Sequence, residues 1–412
     1  MPEILRAEHG HDFLALVPSL AGFRPRDCVI VVAFRGAHSM GAFRYPLPPG
    51  AGRDTSAALA SAVVGTLCRI PGADAVAPVI YTRRTFGTGG PPHRHLGELL
   101  VARFEAAGFR VRDALVVARD GWGSYFDEEL PSGGRPLGLI EESPLHRRAA
   151  DRAMEDVDAL AELPPRDRER SRRLAERRRE LARLLGRAAG ADAARAREAL
   201  EGLDGLAVPF DPVDLVELLL DPAYDALPDD DRLDADALLL GQLASPPLRD
   251  AAILQLAFGE RIGELSLADH ARLLDRRELT GESHDEAVAA TCDDPVTARL
   301  AALYLGRATT RPEVGRVHLA IERLRPLAAD APRSDRPAVL SVLAWLAWSL
   351  GRGTAAGRFV DRALAVDPGY GLAQVLHALF GSGAIPEWAF AAAGAAADAV
   401  LAADGEASAE RA

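Results

Sequence analysis

Cys28-Val-Ile-Val-Val-Ala-Phe34 is a continuous apolar run rich in β-branched residues, with no alternation between apolar and polar positions. Such a run predicts a strand buried on both faces. The flanking segments fit that strand into a sheet. Ala42 to Leu47 alternates and stops at Pro46-Leu-Pro-Pro49, which predicts an outer strand. Arg53 to Arg69 carries helical spacing through Leu59, Val63, Val64 and Leu67, and Ala75 to Tyr81 reads as a second apolar strand. A Gly/Pro loop from Phe86 to Pro92 then leads into a helix from about His93 to Ala107, followed by a strand over Val111 to Ala118. Asp120-Gly121 predicts a hairpin turn, because both central positions of such a turn need positive φ. The return strand holds Trp122, Tyr125 and Phe126. Strands alternating with helices give an α/β layer structure: a mixed, mostly buried sheet with flanking helices and a β-hairpin.

After about Pro144 the pattern turns helical throughout. Pro165 to Arg187 predicts a charged helix with Leu174, Leu181, Leu184 and Leu185 on one stripe, and further helices follow at Pro212–Leu220, Asp234–Leu243, Leu248–Phe258 and Leu267–Leu274. Ser266-Leu-Ala-Asp269 and Ser283-His-Asp-Glu286 have the spacing of N-terminal caps, the second a full capping box. Asp294-Pro295 places a cap acid before a proline at the first helical position. Leu300-Ala-Ala-Leu-Tyr-Leu-Gly-Arg307 is echoed by Trp345-Leu-Ala-Trp-Ser-Leu-Gly-Arg352, and each is followed by a second helix, ending near Leu327 and Val366. Val339 to Phe380 looks like a tetratricopeptide repeat plus one further helix. It has small or aromatic residues at Ala355, Phe359 and Ala363, then Ala365-Val-Asp-Pro368. The expected organisation is an α/β domain over 1–143, a helical connecting region with the charged helix over 144–245, a helical-hairpin domain over 246–403 and a polar tail over 404–412.

Composition narrows the chemistry by what it lacks. The 412 residues include no lysine and no asparagine. That inventory excludes a P-loop lysine, a Schiff-base lysine and an ordinary kinase or pyridoxal enzyme. Codon bias accounts for the absences, since alanine, arginine, glycine, proline and leucine dominate. Hydrophobic content of 48% and charged content of 26% describe a globular chain rather than a disordered one. A net charge of −12 argues against a dedicated nucleic-acid binder. The N-terminus shows no secretory pattern, and the longest apolar stretch, Leu340 to Leu350, is too short for a membrane span. Cys28, Cys68 and Cys292 form no CxxC and read as small buried apolar residues, which suggests a reducing cytoplasm.

Two blocks carry a family resemblance. Pro18-Ser-Leu-Ala-Gly-Phe-Arg-Pro-Arg-Asp-Cys-Val-Ile-Val-Val32 is the first. Leu343-Ala-Trp-Leu-Ala-Trp348, continuing through Asp361-Arg-Ala-Leu-Ala-Val-Asp-Pro-Gly-Tyr-Gly-Leu-Ala373 to Pro386-Glu-Trp388, is the second. With lesser matches at Val79-Ile-Tyr81 and Leu248-Arg-Asp250, the chain resembles the actinobacterial domain-of-unknown-function 4192 family over nearly its whole length. The resemblance implies a shared fold and no particular activity. It also implies cysteines after the Trp-Ser-Tyr strand, ending in Cys-Cys-Pro. Here Gly123-Ser-Tyr-Phe-Asp-Glu-Glu-Leu-Pro131 has none, so no metal site is carried over.

Several segments are candidate sites. Gly22-Phe-Arg-Pro25 joins a helix to the central strand; Gly22 suits a helix C-cap with Phe23 packing back, while Arg24 and Asp27 could face a ligand at the sheet edge. Phe86-Gly-Thr-Gly-Gly-Pro-Pro-His-Arg-His95 lies where α/β folds bind phosphates. Gly87 and Gly89 fit the glycine rule, but Pro92 occupies the third position and lacks a donor, which favours a plain loop. His93 and His95 could ligate a metal together with a carboxylate, but a lone His-x-His in a loop is more often solvated; both stay as ligand-binding candidates and no metal is assigned to them. The ten arginines and four acids of Arg166–Arg187 read as a solvated face, with Glu169–Arg173 and Glu180–Arg183 at pairing distance. Docking to nucleic acid is the sharper alternative. Asp229-Asp-Asp-Arg-Leu-Asp-Ala-Asp236 lacks the pattern of a calcium loop and reads as acids at a helix start. Trp345, Trp348, Tyr370 and Trp388 read first as packing aromatics and second as the lining of a peptide groove. No serine triad or other catalytic constellation is visible, and no cofactor is implied. The leading expectation is a cytoplasmic, non-catalytic scaffold or regulatory module that binds a protein partner or itself. The alternatives are a small-molecule or nucleotide-binding α/β domain, possibly a hydrolase, and nucleic-acid docking through the arginine helix.

Overall fold

The computed structural model describes residues 7, 9–21, 24–47, 52–87, 90–146, 160–189, 206–381 and 384–390. Gly22, Phe23, Gly89 and the tail 404–412 lie outside these. Contacts divide the chain into two compact units, Met1–Leu160 and Ala161–Ala412.

The first unit is α/β. Its elements are α1 (Gly10–Ala21), β1 (Cys28–Arg35), β2 (His38–Pro46), α2 (Arg53–Cys68), β3 (Ala75–Tyr81), α3 (Arg94–Ala106), β4 (Arg110–Val111), β5 (Leu115–Val117), β6 (Trp122–Ser124) and α4 (Gly138–Glu142). The sheet runs in the order β2-β1-β3-β5-β6, with β4 also on β3. β1 is antiparallel to β2 and β3; β3 is parallel to β4 and β5; β5 and β6 are antiparallel. β1 is central and buried from Cys28 to Phe34. Its odd residues, Val29, Val31 and Ala33, pack with Ala60, Val63 and Leu67 of α2 and Leu100 and Phe104 of α3. Its even residues, Cys28, Ile30, Val32 and Phe34, pack with Leu14 and Val17 of α1. Helices on both sides explain why the strand does not alternate.

Two details differ from the sequence reading. The strand expected over Val111–Ala118 is split into β4 and β5. The interruption falls beside Pro78: Val76 pairs with Val111 and Val79 with Leu115. Proline has no N–H for a ladder bond, so the partner chain departs there and returns. The β5–β6 hairpin forms, yet Asp120 and Gly121 are not among the positive-φ residues. The loop closes through Ala118 N–H to Gly121 O (2.8 Å), and Asp120 accepts a bond from Phe86 N–H (3.0 Å). Gly121 is needed for space instead: a Cβ there would sit 2.5 Å from Gly133 O.

The second unit is helical: α5 (Arg168–Ala189), α6 (Pro212–Leu220), α7 (Ala223–Ala226), α8 (Asp229–Ala244), α9 (Pro246–Phe258), α10 (Glu260–Thr280), α11 (His284–Thr291), α12 (Pro295–Tyr304), α13 (Val314–Asp330), α14 (Arg336–Ser349), α15 (Gly353–Val366) and α16 (Gly371–Gly381), with a 3₁₀ turn at Glu387–Ala389. α14 is the hub. Every residue from Pro337 to Ser349 is buried, against α8, α9, α13, α15 and α16. Ala355, Phe359 and Ala363 of α15 are fully buried as well. The capping box at Ser283 has both reciprocal bonds, and Asp294 caps α12 through the N–H groups of Val296 and Thr297. Ser266 and Asp269, in contrast, lie inside α10, which begins after Gly259 at φ 97. The cap spacing occurs there by chance, and the backbone break that starts a helix lies seven residues upstream.

The Leu-Gly-Arg echo has a physical meaning. Gly306 (φ 68) and Gly351 (φ 74) both end a helix in the left-handed region. In both, the following arginine N–H reaches back five residues, Arg307 to Ala302 O (2.7 Å) and Arg352 to Ala347 O (2.9 Å). These are two copies of one glycine-terminated helix end.

Candidate functional site

The α/β unit gathers part of its expected site at one corner of the sheet. Cys28 pairs with Tyr81, so Asp27 lies beside the segment leaving β3. Asp27 Oδ1 accepts the Arg83 N–H (3.1 Å), and Oδ2 meets Arg83 Nε at 2.5 Å. Thr82 N–H donates to Val117 O (3.0 Å), and its hydroxyl lies 3.0 Å from His93 Nε2. Asp27 (φ 44) and His93 (φ 59) are the two non-glycine residues with positive φ among the described residues. Burial lowers the His93 pKa, Arg84 lowers it further and Asp27 opposes them in part. The shift favours the uncharged imidazole. A carboxylate, an imidazole, a hydroxyl and two exposed guanidiniums thus meet at the carboxyl ends of the parallel pair β3 and β5, where open α/β sheets bind ligands.

Other expected members stand apart or act differently. Arg24 is exposed, and His95 is exposed on α3. Gly87 accepts the Gly90 N–H (2.9 Å), so that donor closes a turn within the loop. Pro91 and Pro92 supply no donors, and both are buried.

In the helical unit Trp345, Trp348 and Trp388 are 0%, 3% and 3% exposed, which places them in the core. Their ring centroids lie 5.9–6.4 Å apart in tilted or edge-on pairs. Each indole N–H is satisfied by a backbone carbonyl: Trp345 by Tyr304 O (2.9 Å), Trp348 by Ala384 O (2.9 Å) and Trp388 by Ser349 O (3.0 Å). Tyr370 is half-buried, and its hydroxyl accepts from Arg249 (2.8 Å). The Leu248-Arg-Asp250 and Asp-Pro-Gly-Tyr370 segments therefore meet in space.

A concavity of about 450 Å³ lies in front of this aromatic layer, formed by α9, α10, α11 and α12. Leu254, Leu273, Val288, Leu300 and Leu305 supply apolar wall. Asp269 and Asp294 share Arg272 (2.5 and 3.5 Å), while Asp250 is paired with Arg249 (2.8 Å). Val288 and Leu305 remain 41% and 37% exposed, which is unusual for residues of this size inside a helical array. Tyr304 forms the floor: its ring lies against Trp345, and its hydroxyl donates to Asp250 (3.2 Å). Burial raises the Asp250 pKa against the opposing effect of Arg249 and Tyr304. Sequence reading missed these residues. The signal was weak: two large apolar residues, Val288 and Leu305, left exposed at neighbouring helices.

The arginine helix is engaged at home. Arg173 pairs with Asp230 (2.5 Å), Arg177 with Asp234 (2.5 Å), and Arg170 with both Asp236 and Asp330. Arg178 faces Asp335 at 3.5 Å. Arg173 thus finds its acid across the interface, where Glu169 had been expected, and Arg177 takes Glu180 (2.8 Å). Leu174 and Leu181 are buried beneath these pairs, while Leu185 is exposed. The acidic run at the start of α8 is the partner surface, and its N-cap position is Pro228, with no side-chain cap. Cys28 is buried as expected; Cys68 and Cys292 are exposed, since each sits at the end of a helix facing outward.

No helix among the described residues is long and apolar enough to cross a membrane. No curated protein and no solved structure matches the chain. The family described as Domain of unknown function (DUF4192) matches residues 11–323 and 267–387, most of the chain. The chain therefore belongs to the DUF4192 family.

Proposed function

We propose that this protein is a non-catalytic binding module whose helical unit takes up an apolar, basic-flanked segment of a protein partner. The concavity between α9 and α12 carries this reading: Val288 and Leu305 leave apolar wall exposed, two carboxylates, Asp269 and Asp294, share one arginine, and the aromatic core stands behind it. A volume of about 450 Å³ suits a few side chains of a docked segment. The tryptophans act as its foundation, and Tyr370 holds Arg249 beside Asp250. Repeated helical hairpins of tetratricopeptide type would serve the same purpose, by presenting a concave face. Three free thiols, two of them exposed, fit a reducing compartment such as the cytoplasm. Val288→Arg is the test. Protein purified from its own host and weighed by native mass spectrometry should carry a stoichiometric partner, and the variant should lose it. Retention of the partner by Val288→Arg would overturn the reading.

A second reading concerns the corner at Asp27 and His93. Two side chains with acid–base capacity both hold strained backbone there, which is a recurrent property of ligand sites. A small anionic ligand would meet Arg83 and Arg84. A thermal shift with a nucleotide or sugar phosphate, abolished by His93→Gln, would support it; no shift with any such compound would remove it. Nucleic-acid docking through the arginine helix has less support, because Arg170, Arg173, Arg177 and Arg178 face carboxylates of the same unit.

A further inference from the structure

His9-Gly10-His11-Asp12 opens α1, and three of these four residues carry metal-ligand donors. His9 Nδ1 lies 3.4 Å from Asp12 Oδ2, and His11 Nε2 lies 3.7 Å from Asp12 Oδ1. One donor atom from each of the three lies within 4.8 Å of the others. A tetrahedral ion with bonds of about 2.0–2.1 Å has donor–donor edges of roughly 3.3–3.4 Å. The two measured distances end on different Asp12 oxygens, so the imidazoles must turn toward one oxygen for a single ion to take one donor from each residue, all of which already lie within 4.8 Å of one another.

The surroundings hold the donors in place. Ser143 Oγ donates to Asp12 Oδ1 (2.6 Å), and the His9 N–H donates to Oδ2 (3.3 Å). Outer partners of this kind orient a ligating carboxylate. His11 lies against Trp122, with ring centroids 6.1 Å apart, and the indole N–H is anchored on Pro136 O (3.1 Å). Gly10 allows that approach, since a Cβ would meet the Trp122 ring at 3.2 Å. The side chains grade from His9 at 68% exposed to Asp12 at 14%, which leaves an entry path from solvent.

Helix capping accounts for Asp12 alone. An acid in the first turn complements the helix dipole, whereas a protonated imidazole there opposes it. Two histidines in that turn have no capping role, and the Asp12 carboxylate would offset part of a bound cation's charge at this helix end.

We propose that His9, His11 and Asp12 bind one divalent first-row transition ion of zinc type, with a further coordination position open. Two imidazoles and one carboxylate form a borderline donor set, which disfavours magnesium and calcium. Three protein ligands with a free position match the open kind of zinc site. This inference concerns the α/β unit and does not rest on the groove of the helical unit.

Isothermal titration of untagged full-length protein with Zn(II), repeated with Co(II) to read its ligand-field absorption, tests it. The wild type should bind one ion per chain with micromolar dissociation constant. His11→Ala and His9→Ala should each weaken binding at least tenfold, and His93→Ala/His95→Ala should bind as the wild type does. His9 is exposed, so its variant keeps the fold and the result stays decisive. Absence of one-to-one binding up to millimolar Zn(II), or binding by the His9 and His11 variants as tight as that of the wild type, would overturn the proposal. Loss of binding in the His93/His95 variant alone would do the same.

Discussion

Arg170→Met removes the cation at the centre of the helical unit while keeping most of its apolar stem. Arg170 Nη1 donates to Asp330 Oδ2 (2.9 Å), and Nη2 pairs with Asp236. Asp236 is 1% exposed and Asp330 6% exposed. Removing one partner of a buried ionic network costs about 3–5 kcal/mol, because uncompensated charge is left behind. The remaining donors soften the loss. Asp236 keeps the Tyr224 hydroxyl (2.5 Å), and Asp330 keeps the Asp167 N–H (2.9 Å) and Ser171 Oγ (3.3 Å). The lower end, about 3 kcal/mol, is therefore expected, a shift of more than 100-fold in that unit's folding equilibrium. The pH dependence gives the prediction its sign. Burial outweighs the Tyr224 and Arg170 contributions and raises the folded pKa of Asp236 above its unfolded value. Such a carboxyl binds its proton more tightly when folded, so its contribution favours folding at low pH and is lost as pH rises through the folded pKa. Losing Arg170 raises that pKa further. The destabilisation should be largest near pH 7 and shrink as acid protonates Asp236. Urea unfolding followed by tryptophan fluorescence is the assay, since Trp345, Trp348 and Trp388 all lie in this unit. A loss under about 1 kcal/mol, or one that grows on acidification, would refute the reasoning.

Three further outcomes follow from local geometry. Gly306→Ala should cost well over the ~1–2 kcal/mol of a left-handed non-glycine residue, because its Cβ would also meet the Trp348 ring within 2.4 Å; Gly351→Ala, with open space, should cost that strain alone, as thermal unfolding will show. Trp345→Ala should lose about 3–5 kcal/mol by chemical denaturation, as a core truncation. Ser283→Ala should lose about 1 kcal/mol by the same assay, from removal of the capping box.

What could be read from sequence was what local pattern encodes. β1 was legible because burial on two faces writes an unbroken apolar run, and the helix ends at Gly306 and Gly351 because left-handed termination writes Leu-Gly-Arg twice. The break between β4 and β5 was not, since its cause, Pro78, acts on a neighbouring strand. Ser266 and Asp269 had the spacing of a cap without the backbone break that makes one. The arginine run and the aspartate run were both visible, but Arg173 and Asp230 are joined only by tertiary packing of α5 on α8. The candidate sites divide in the same way. Asp27 and His93 were both singled out, while their meeting beside Thr82 depends on the β1–β3 register. The groove has no motif, because its lining is spread over four helices between Pro247 and Leu305. The tryptophans were conspicuous in sequence for packing, and their indole N–H groups are bound to backbone carbonyls within the same unit.

Photo-crosslinking from a probe residue placed at Val288, with a matched probe at the exposed Leu279, tests the groove most directly. A docked segment predicts one adduct from position 288 in host extract, mapping by mass spectrometry to a single apolar stretch flanked by basic residues, and none from position 279. The same scattered adducts from both positions, or none from position 288, would contradict binding in the groove.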